Sequence, residues 1–430
     1  DDEVEVFVNP RGNFGDYYQF IVNPLGTRYD SHGTDASWNA DWQAATRQTP
    51  QHWVVEVALP IRSFPLDLTV GRDWCVNVGR GDKLARQASS WSAAFGGFHN
   101  PGRFGRLLGL DLDLLPYYQQ DARTRTVAVR QAYEATVAGL DLTHAPAAVA
   151  APVQERTPTI TAALARLEKL LADPKGATPQ DWAQVRPVAA QLATDIEALR
   201  AASMRLRAWN VWREPGAAEP RFGLATAPAM VKVRRDGQDF GGEVSRELSL
   251  SAARNEYESG QIVVVSLSGE DLTGCRASLS LLTGPGGATL GPECLKLSLV
   301  GYIATAKPGY QTAYVGDWPD PLLPLQPFTV AAGQVQPLWL RAYVPPGTRP
   351  GLYRGAVTVS AGGQDKRMAV QLRVFDFELP RRQHLATPFG CAPGTLSQWY
   401  AGSSDYMTHM PPEVWKRWNR FLLDYRITPT

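Results

Sequence analysis

Cysteine and histidine are scarce in this chain, which limits the metal and disulfide chemistry open to it. Its 430 residues include 4 cysteines and 6 histidines. Neither set has the short paired spacing of a zinc site, and Cys75, Cys275, Cys294 and Cys391 are too scattered for a disulfide scaffold. Cys275 and Cys294 are the one candidate pair, with two buried free thiols as the alternative. We therefore predict no metal site and no cofactor.

Long apolar runs and an excess of one charge are also absent. The longest apolar runs resemble residues 262–265, far short of the ~20 residues that span a membrane. With 43 Lys+Arg against 42 Asp+Glu, neither nucleic acid nor an anionic membrane is an expected partner. The sequence also lacks a phosphate-binding loop, a two-histidine metalloprotease helix and a nucleophile elbow. An uncharged ligand is favoured, and the sequence indicates no oligomeric state.

What the chain has in abundance is aromatic residues, glycine and proline, in a pattern typical of short strands and turns. It contains 13 Trp, 15 Tyr and 14 Phe, with 38 Gly and 33 Pro. Residues 1–115 and 213–380 alternate apolar and polar side chains in short runs, which predicts two β-sandwiches. Residues 116–212 are rich in Ala, Leu, Gln and Arg and predict an α-helical spacer. The predicted fold is multidomain and mainly β, with the two sandwiches joined by a helical hairpin.

The predicted spacer contains two amphipathic helices with start signals. Thr157-Pro158 precedes apolar residues at helical spacing, and Thr178-Pro179 precedes a second such stripe. A less regular helix is expected around residues 127–137, and the Ala/Pro-rich residues 145–152 are expected to form a connector. We expect the hairpin to be a spacer, and a partner-binding coiled coil is the alternative.

Residues 381–430 have the pattern of a new domain. A strand-like run at 385–390 is followed by an amphipathic helix at 411–423, and a single βα unit cannot bury its own apolar faces. We therefore expect a domain that continues past residue 430. The strand-like residues 4–8 begin with no leader, so we also expect the first domain to be entered partway.

Residues 1–115 resemble the family 9 carbohydrate-binding modules. The blocks that carry the resemblance are residues 2–7, 37–42, 53–60 and 74–80, followed by His99-Asn100-Pro101 and Phe104-Gly105. In that family, tryptophans clamp a sugar ring while polar side chains bind its hydroxyl groups. The resemblance implies a polysaccharide or glycan partner. Because some members of such families bind structural calcium, the aspartates Asp1, Asp2, Asp30 and Asp35 are candidate ligands for a calcium ion.

Five residues are the candidate carbohydrate-binding groups. Trp38, Trp42 and Trp91 lie in polar, turn-rich surroundings that favour exposed rings, whereas Trp53 and Trp74 lie inside predicted strands and are expected in the core. Asn77 and Arg80 are the polar candidates. Packing under a loop is the alternative for each of the three tryptophans, and a structural ion pair is the alternative for Arg80.

Residues 213–430 resemble the front of glycoside hydrolase family 123 proteins. The more specific blocks are residues 316–324 and 375–380, and residues 253–259 also support the resemblance. The resemblance implies a secreted, periplasmic or cell-surface protein whose sandwich precedes a (β/α)8 barrel beginning at residue 381. It also implies a retaining β-N-acetylhexosaminidase mechanism in which the substrate acetamido group attacks the anomeric carbon. The catalytic Asp-Glu pair belongs at later barrel strands, so no catalytic residue is predicted within this sequence.

Several carboxylates invite a catalytic interpretation that the sequence does not favour. Asp317 and Asp320 flank Trp318 in a proline-rich segment, which we expect to dock on a neighbouring domain rather than to contact substrate. Glu256 and Glu258 are expected to be solvated or ion-paired, and His99 is expected to stabilise a turn.

The predicted function is the accessory, carbohydrate-binding part of a glycoside hydrolase. A non-catalytic carbohydrate-binding or cell-surface structural protein is the alternative.

Overall fold

The computed structural model describes residues 2–64, 73–82, 86–93, 97–110, 114–309, 312, 314–381, 387–389 and 393–429, so Cys391 lies outside the described residues. The chain is mainly β, with several sheets and some helices, as the sequence predicts. It divides into two compact units. The first contains Asp1–Leu140, Ala151–Ser203 and Ala304–Gly316, and the second contains Asp141–Ala150, Met204–Ile303 and Asp317–Thr430.

The first unit begins with a 6-stranded sheet and a separate hairpin. The strands are β1 (Glu3–Asn9), β2 (Tyr18–Val22), β3 (Arg28–His32), β4 (Gln43–Gln48), β5 (Trp53–Ala58), β6 (Trp74–Asp82), β7 (Gln87–Ser90) and β8 (Gly105–Leu107). The sheet order is β3-β2-β1-β6-β7, with β8 also paired to β6, and β4 pairs with β5. All of these pairs are antiparallel.

Alternation along β1 and β6 assigns each side chain to one face of the sheet. One face carries Val6, Val8 and Phe20, and it packs with Trp42 and Trp74 into a core to which Ala44, Val55 and Val57 of the hairpin contribute. The expected core position of Trp74 is therefore confirmed. We call this the hairpin face of the sheet.

The opposite face combines an aromatic cluster with a buried polar network. Phe7, Tyr17, Cys75 and Phe104 form the cluster. The Tyr17 hydroxyl bonds His99 Nδ1 at 2.8 Å, so His99 ties its turn to the sheet as expected. Beside the cluster, Gln19 Nε2 donates to Glu5 Oε2 at 2.6 Å and Ser31 Oγ donates to Gln19 Oε1 at 3.2 Å. Burial raises the pKa of the Glu5 carboxyl.

Three α-helices follow the first sheet, namely α1 (Leu115–Val137), α2 (Ala147–Ala172) and α3 (Pro179–Trp212). The buried stripes predicted from helical spacing are present, with Ile160, Leu164 and Leu167 on α2 and Leu192, Ile196 and Leu199 on α3. Within the first unit, Arg186 of α3 donates to Asp121 of α1 at 2.9 Å.

One predicted helix start is right and the other is wrong. At α3 the Thr178 Oγ1 accepts from the Asp181 N–H at 3.3 Å, and the Asp181 carboxylate accepts from the Thr178 N–H at 2.8 Å, which is a capping box. Helix α2 instead begins ten residues before Thr157-Pro158, at Ala147. Thr157 lies inside the helix and donates its hydroxyl to the Val153 carbonyl at 2.8 Å. The expected connector over residues 145–152 is therefore mostly helical.

The second unit contains a 6-stranded sheet and a 7-stranded sheet. Their strands are β9 (Phe222–Pro228), β10 (Glu243–Val244), β11 (Glu247–Arg254), β12 (Glu256–Ser266), β13 (Leu272–Leu279), β14 (Leu282–Thr283), β15 (Thr289–Leu290), β16 (Leu295–Ala304), β17 (Asp317–Pro324), β18 (Phe328–Val330), β19 (Val335–Val344), β20 (Gly351–Ala361) and β21 (Gln364–Glu378). One sheet has the order β10-β9-β12-β19-β16-β17, and the other has the order β11-β21-β20-β13-β18 with β14 and β15 beside β20.

The two sheets share one hydrophobic core. Ile262, Leu338 and Leu340 come from the first of them, and Val357 and Leu372 come from the second. Cys275 and Cys294 lie in this core as buried free thiols, so the alternative to a disulfide is the one observed. Burial raises the pKa of both thiols, which keeps them protonated and unreactive.

The chain passes from one sheet to the other at Asn255, which lies between β11 and β12 with φ +60°. Asparagine tolerates this left-handed conformation better than most residues. Its N–H donates to the Val344 carbonyl at 2.6 Å, and its Nδ2 donates to the Leu379 carbonyl at 2.9 Å. Its Oδ1 accepts from the Tyr343 hydroxyl at 3.0 Å. We call this residue and its contacts the Asn255 corner.

The last part of the second unit forms a β-α-β arrangement against this corner. It comprises β22 (Pro388–Phe389), α4 (Pro393–Ala401), α5 (Tyr406–His409), α6 (Pro412–Asp424) and β23 (Thr428–Pro429), and β22 pairs with β23 in parallel. Arg426 donates to the Asn255 carbonyl at 2.9 Å, and the Tyr425 ring stacks on Tyr257 at 4.9 Å. Arg341 lies over both tyrosine rings. The strand-helix pattern expected near the end of the chain is therefore present.

The buried Glu5 carboxyl generates a pH-dependent prediction. Because the folded pKa lies above the ordinary value of 4.5, the folded state loses stability as the pH rises from that value through the raised pKa. Glu5→Gln keeps an acceptor for Gln19 without the charge. Its melting temperature relative to the native protein should be higher by a few degrees at about pH 8 than at about pH 4. Exposed Glu56→Gln is the control, and an equal difference at both pH values for Glu5→Gln would contradict the assignment.

Candidate functional site

Two of the five predicted carbohydrate-binding residues lie together on the hairpin face of the first sheet. Val78 and Arg80 alternate along β6 on this face. The Trp91 N–H donates to the Val78 carbonyl at 2.8 Å, which extends the β6–β7 pairing by one residue and brings Trp91 next to Val78. We call Val78, Arg80 and Trp91 the Trp91 face. Trp91 is 62% exposed and Val78 is 42% exposed, so this end of the sheet presents an aromatic ring to solvent.

A glycine positions the Trp91 ring. A Cβ atom at Gly105 of β8 would lie 2.3 Å from Trp91 Cζ3, so the ring rests directly on the Gly105 backbone. One side of the ring is supported by the sheet in this way, while most of its surface remains exposed. A ring held against a rigid backbone loses little further freedom on binding, which favours its use as a stacking platform.

Polar groups border the Trp91 face. Arg80 Nη2 bonds Asp82 Oδ2 at 2.8 Å, which is the structural ion pair expected as the alternative role of Arg80. The guanidinium is half exposed and carries five donors, so this one contact leaves others for a ligand. Exposed Ser89 pairs with Arg80 across β6 and β7. The face therefore combines one apolar platform with donors and acceptors beside it.

Trp38 lies at a different place, in a polar depression of about 550 Å³. Its half-buried ring packs against Tyr18 at 4.8 Å and Phe20 at 5.8 Å. Arg28, Asp30, Ser37, Asn39 and Asp41 also line the depression. The Trp38 ring is therefore mainly packed in the core, with one edge facing the polar depression. This arrangement is close to the alternative expected from the sequence, in which Trp38 packs under a loop.

Two of the five candidates require correction. Trp42 is only 4% exposed because its ring packs on Phe20 at 5.1 Å in the hairpin-face core. Asn77 is fully buried, since it faces the opposite side of the sheet beside Phe7, and its Oδ1 accepts from the Ser92 N–H at 3.0 Å. Neither side chain reaches a ligand on the surface, so the predicted sugar contacts are not supported for these two residues.

The acidic residues of the second unit that the sequence singled out make structural contacts. Asp317 Oδ2 lies 3.2 Å from Arg235 Nε, and the guanidinium lies over the Tyr302 ring. Glu256 Oε2 accepts from the Ala253 N–H at 2.6 Å, and Glu258 Oε1 accepts from the Ser259 N–H at 2.7 Å. The contacts of Glu256 and Glu258 agree with the role expected from the sequence. Asp317 pairs with an arginine of its own unit, and the docking of residues 316–324 on a neighbouring domain stays a prediction.

Of the four aspartates proposed for calcium, Asp1 lies outside the described residues, and Asp30 and Asp35 are engaged with the backbone. Asp30 Oδ2 accepts from the Ala40 N–H at 2.5 Å, and Asp35 Oδ1 accepts from the Ser37 N–H at 2.9 Å. Within the described ranges, no three His, Cys, Asp or Glu side chains are grouped as metal ligands. No helix in the same part of the chain is long and apolar enough to cross a membrane.

Comparison with known proteins gives one family match, most of which lies in the second unit. Residues 234–361 match the family model described as the glycoside hydrolase 123 N-terminal domain. The predicted resemblance to family 123 is confirmed over these residues, and it relates the chain to hydrolases that act on glycans. Comparison with curated proteins gives no match.

Solved structures give weaker similarities. A family 123 glycoside hydrolase from Clostridium perfringens, solved to study glycolipid glycan hydrolysis, aligns at 13% identity and TM-score 0.40 over 48% of this chain and 36% of its own. An endo-fucoidan hydrolase of glycoside hydrolase family 107 aligns at 10% identity and TM-score 0.17 over 30% and 13% of the two chains. The CooA pilin subunit of enterotoxigenic Escherichia coli aligns at 13% identity and TM-score 0.19 over 36% and 99%. At these TM-scores the solved structures support no argument, so the relation of the chain to glycoside hydrolases rests on the family match over residues 234–361 alone.

The support of Trp91 by Gly105 generates a prediction for the geometry of the site. Gly105→Ala should displace the Trp91 ring because the new Cβ would overlap it, and it should cost less than about 1 kcal/mol because an exposed ring can move. Fluorine NMR of protein labelled with fluorotryptophan measures the displacement, with the Trp91 signal assigned by Trp91→Phe. Gly102→Ala is the control, since its Cβ would lie 3.6 Å from Asn100 Oδ1. An unshifted Trp91 signal in Gly105→Ala would contradict the geometry.

Proposed function

We propose that this chain is the glycan-binding and scaffolding part of a glycoside hydrolase. The family 123 match over residues 234–361 carries this proposal, because it links the second unit to a glycan-hydrolysing family. The parallel β-α-β arrangement of residues 388–429, packed on the Asn255 corner, supports it as the first element of a (β/α)8 barrel. By the same resemblance, the protein is secreted, periplasmic or at the cell surface.

The proposed chemistry is retaining hydrolysis of β-N-acetylhexosaminides with participation of the substrate. In that mechanism the acetamido oxygen attacks the anomeric carbon, an Asp orients the acetamido group, and an adjacent Glu protonates the leaving oxygen. We assign both carboxylates to later strands of the proposed barrel. The engaged positions of Asp317, Glu256 and Glu258 are consistent with a supporting role for residues 213–380.

The first unit contributes glycan binding in this proposal. A pyranose ring presents apolar C–H groups that stack on an aromatic surface, and its hydroxyls need donors and acceptors at the rim. The Trp91 face offers both, with an exposed indole ring beside Arg80 and Ser89. The balanced charge of the chain also suits an uncharged ligand. We propose Trp91 as the stacking platform and Arg80 as a hydroxyl-binding group.

Titration with oligosaccharides tests the binding role. N,N′-diacetylchitobiose should bind, and Trp91→Ala should weaken binding at least about tenfold, which corresponds to a loss of about 1.4 kcal/mol. Trp91→Phe should retain most of the affinity because it keeps a ring. Calorimetric titration measures each constant, and Trp399→Ala is the control because that side chain is also strongly exposed but lies in the second unit.

Cellobiose distinguishes the parts of the proposal. Equal binding of cellobiose and N,N′-diacetylchitobiose would reject the hexosamine preference while leaving glycan binding in place. Unchanged affinity in Trp91→Ala would reject the Trp91 face as the platform.

A further inference from the structure

We propose that the outer edge of β11 accepts an extended, positively charged polypeptide segment as an added strand. This inference goes beyond glycan binding and does not rest on it. Strand β11 is the last strand of its sheet, with β21 on one side only. Edge strands with unpaired main-chain groups are templates for strand addition, and proteins normally block them. In β11 the blocking covers the two ends and leaves the middle open.

The register shows which groups face outward. Glu247 pairs with Ala369, and the Ala369 N–H donates to the Arg246 carbonyl at 2.8 Å. In a parallel ladder, Leu248 and Leu250 then direct their main-chain groups at β21, while Ser249 and Ser251 direct theirs away from it. Among the described residues, the main chains of Ser249 and Ser251 have no hydrogen-bond partner on that outer side. Both residues are exposed.

Two side chains close the ends of this edge. At the start, the Ser245 hydroxyl accepts from the Glu247 N–H at 3.0 Å and donates to the Glu247 carbonyl at 2.8 Å. At the end, the Glu256 carboxylate accepts from the Ala253 N–H at 2.6 Å. The open window therefore contains the donors and acceptors of Ser249 and Ser251. It matches a short stretch of added strand rather than a long one, which limits uncontrolled association through this edge.

A groove of about 860 Å³ runs beside the open window and has acidic walls. Glu243, Glu247 and Glu258 line it, and among the described residues no Lys or Arg does. Met230, which is 89% exposed, provides an apolar contact at the rim. The charge favours lysine or arginine side chains on the incoming segment. Because side chains alternate along a strand, every second residue of the segment can face the carboxylates.

The same features favour a polypeptide over a glycan as the occupant. In the part of the chain that the structure describes, no aromatic ring lines the groove, so these residues offer no stacking surface of the kind that a sugar ring uses. The unpaired N–H and C=O groups instead repeat with the spacing of a β-strand, which a second backbone matches and a pyranose does not. A glycan that binds at this groove is therefore an outcome that would overturn the proposal.

The test uses the full chain and a short acetylated and amidated peptide of alternating lysine and threonine. On titration, the amides of Ser249 and Ser251 should move downfield in NMR spectra of protein labelled at serine, because they gain hydrogen bonds. Ser249→Pro should weaken binding at least about tenfold, since it removes an outward N–H and leaves the β11–β21 ladder intact. Ser249→Ala is the matched control and should bind like the native protein.

Two further comparisons keep the test decisive if Ser249→Pro folds poorly. A peptide N-methylated on alternate residues should not bind the native protein, because it cannot form the ladder. Glu243→Gln with Glu258→Gln should weaken binding, whereas Glu56→Gln with Glu413→Gln, two residues that do not line the groove, should not. Equal binding of an alternating glutamate and threonine peptide, equal binding of the methylated peptide, or displacement of the peptide by N,N′-diacetylchitobiose would overturn the proposal.

Discussion

The left-handed backbone of Asn255 is the constraint on which the second unit depends. At this residue the chain leaves one sheet and enters the other, and a non-glycine residue in this conformation costs about 1–2 kcal/mol unless its surroundings compensate. The compensation is visible, since the N–H, Nδ2, Oδ1 and carbonyl oxygen of Asn255 all form hydrogen bonds. Each bond contributes about 1 kcal/mol. One residue therefore fixes the crossing and the exit of β21, and its main-chain carbonyl receives Arg426.

This arrangement connects the fold to the proposed function. In a hydrolase whose accessory domains present a glycan to a barrel, the first barrel element must be held in a defined orientation on the domain before it. Arg426 also donates to the Pro380 carbonyl at 2.9 Å, and Arg341 lies over the rings of both Tyr257 and Tyr425. Cation–π contacts at partly buried sites add about 1 kcal/mol each. The β-α-β arrangement is thus anchored to the sheets at several points around one corner.

Local patterns in the sequence predicted the elements that depend on local physics. Alternation predicted β1, β5 and β21, and the Thr178 capping signal predicted the start of α3, because those signals act within a few residues. The signal at Thr157-Pro158 failed because the preceding alanine-rich residues favour helix and extend α2 back to Ala147, which leaves Pro158 inside the helix even though an interior proline removes one helix hydrogen bond. Trp42 and Trp91 have similar polar neighbours in the sequence, but Trp42 is buried and Trp91 is exposed. The difference arises because Trp42 packs in the hairpin-face core, which the sequence around it does not reveal.

The parts that could not be predicted are those that join distant residues. Asn255 lies within residues 253–259, whose sequence supports the family 123 resemblance, but two of its partners lie 124 and 171 residues away in the chain. Gly105 follows Phe104 in a block of the family 9 resemblance, and its role under Trp91 depends on the pairing of β8 with β6. An asparagine or glycine in a turn-rich motif indicates an unusual backbone conformation or a close approach. Only the tertiary structure shows which residues contact that position.

Hydrogen–deuterium exchange of the full chain carrying Asn255→Ala tests the central claim most directly, namely that the Asn255 corner holds the β-α-β arrangement on the sheets. The Leu379 N–H donates to Arg254 and the Thr428 N–H donates to Thr387, so both amides report on the corner. Their exchange should accelerate at least about tenfold in the variant, while amides in the β20–β21 ladder keep their native protection. Unchanged protection at Leu379 and Thr428, with the variant folded, would contradict the account.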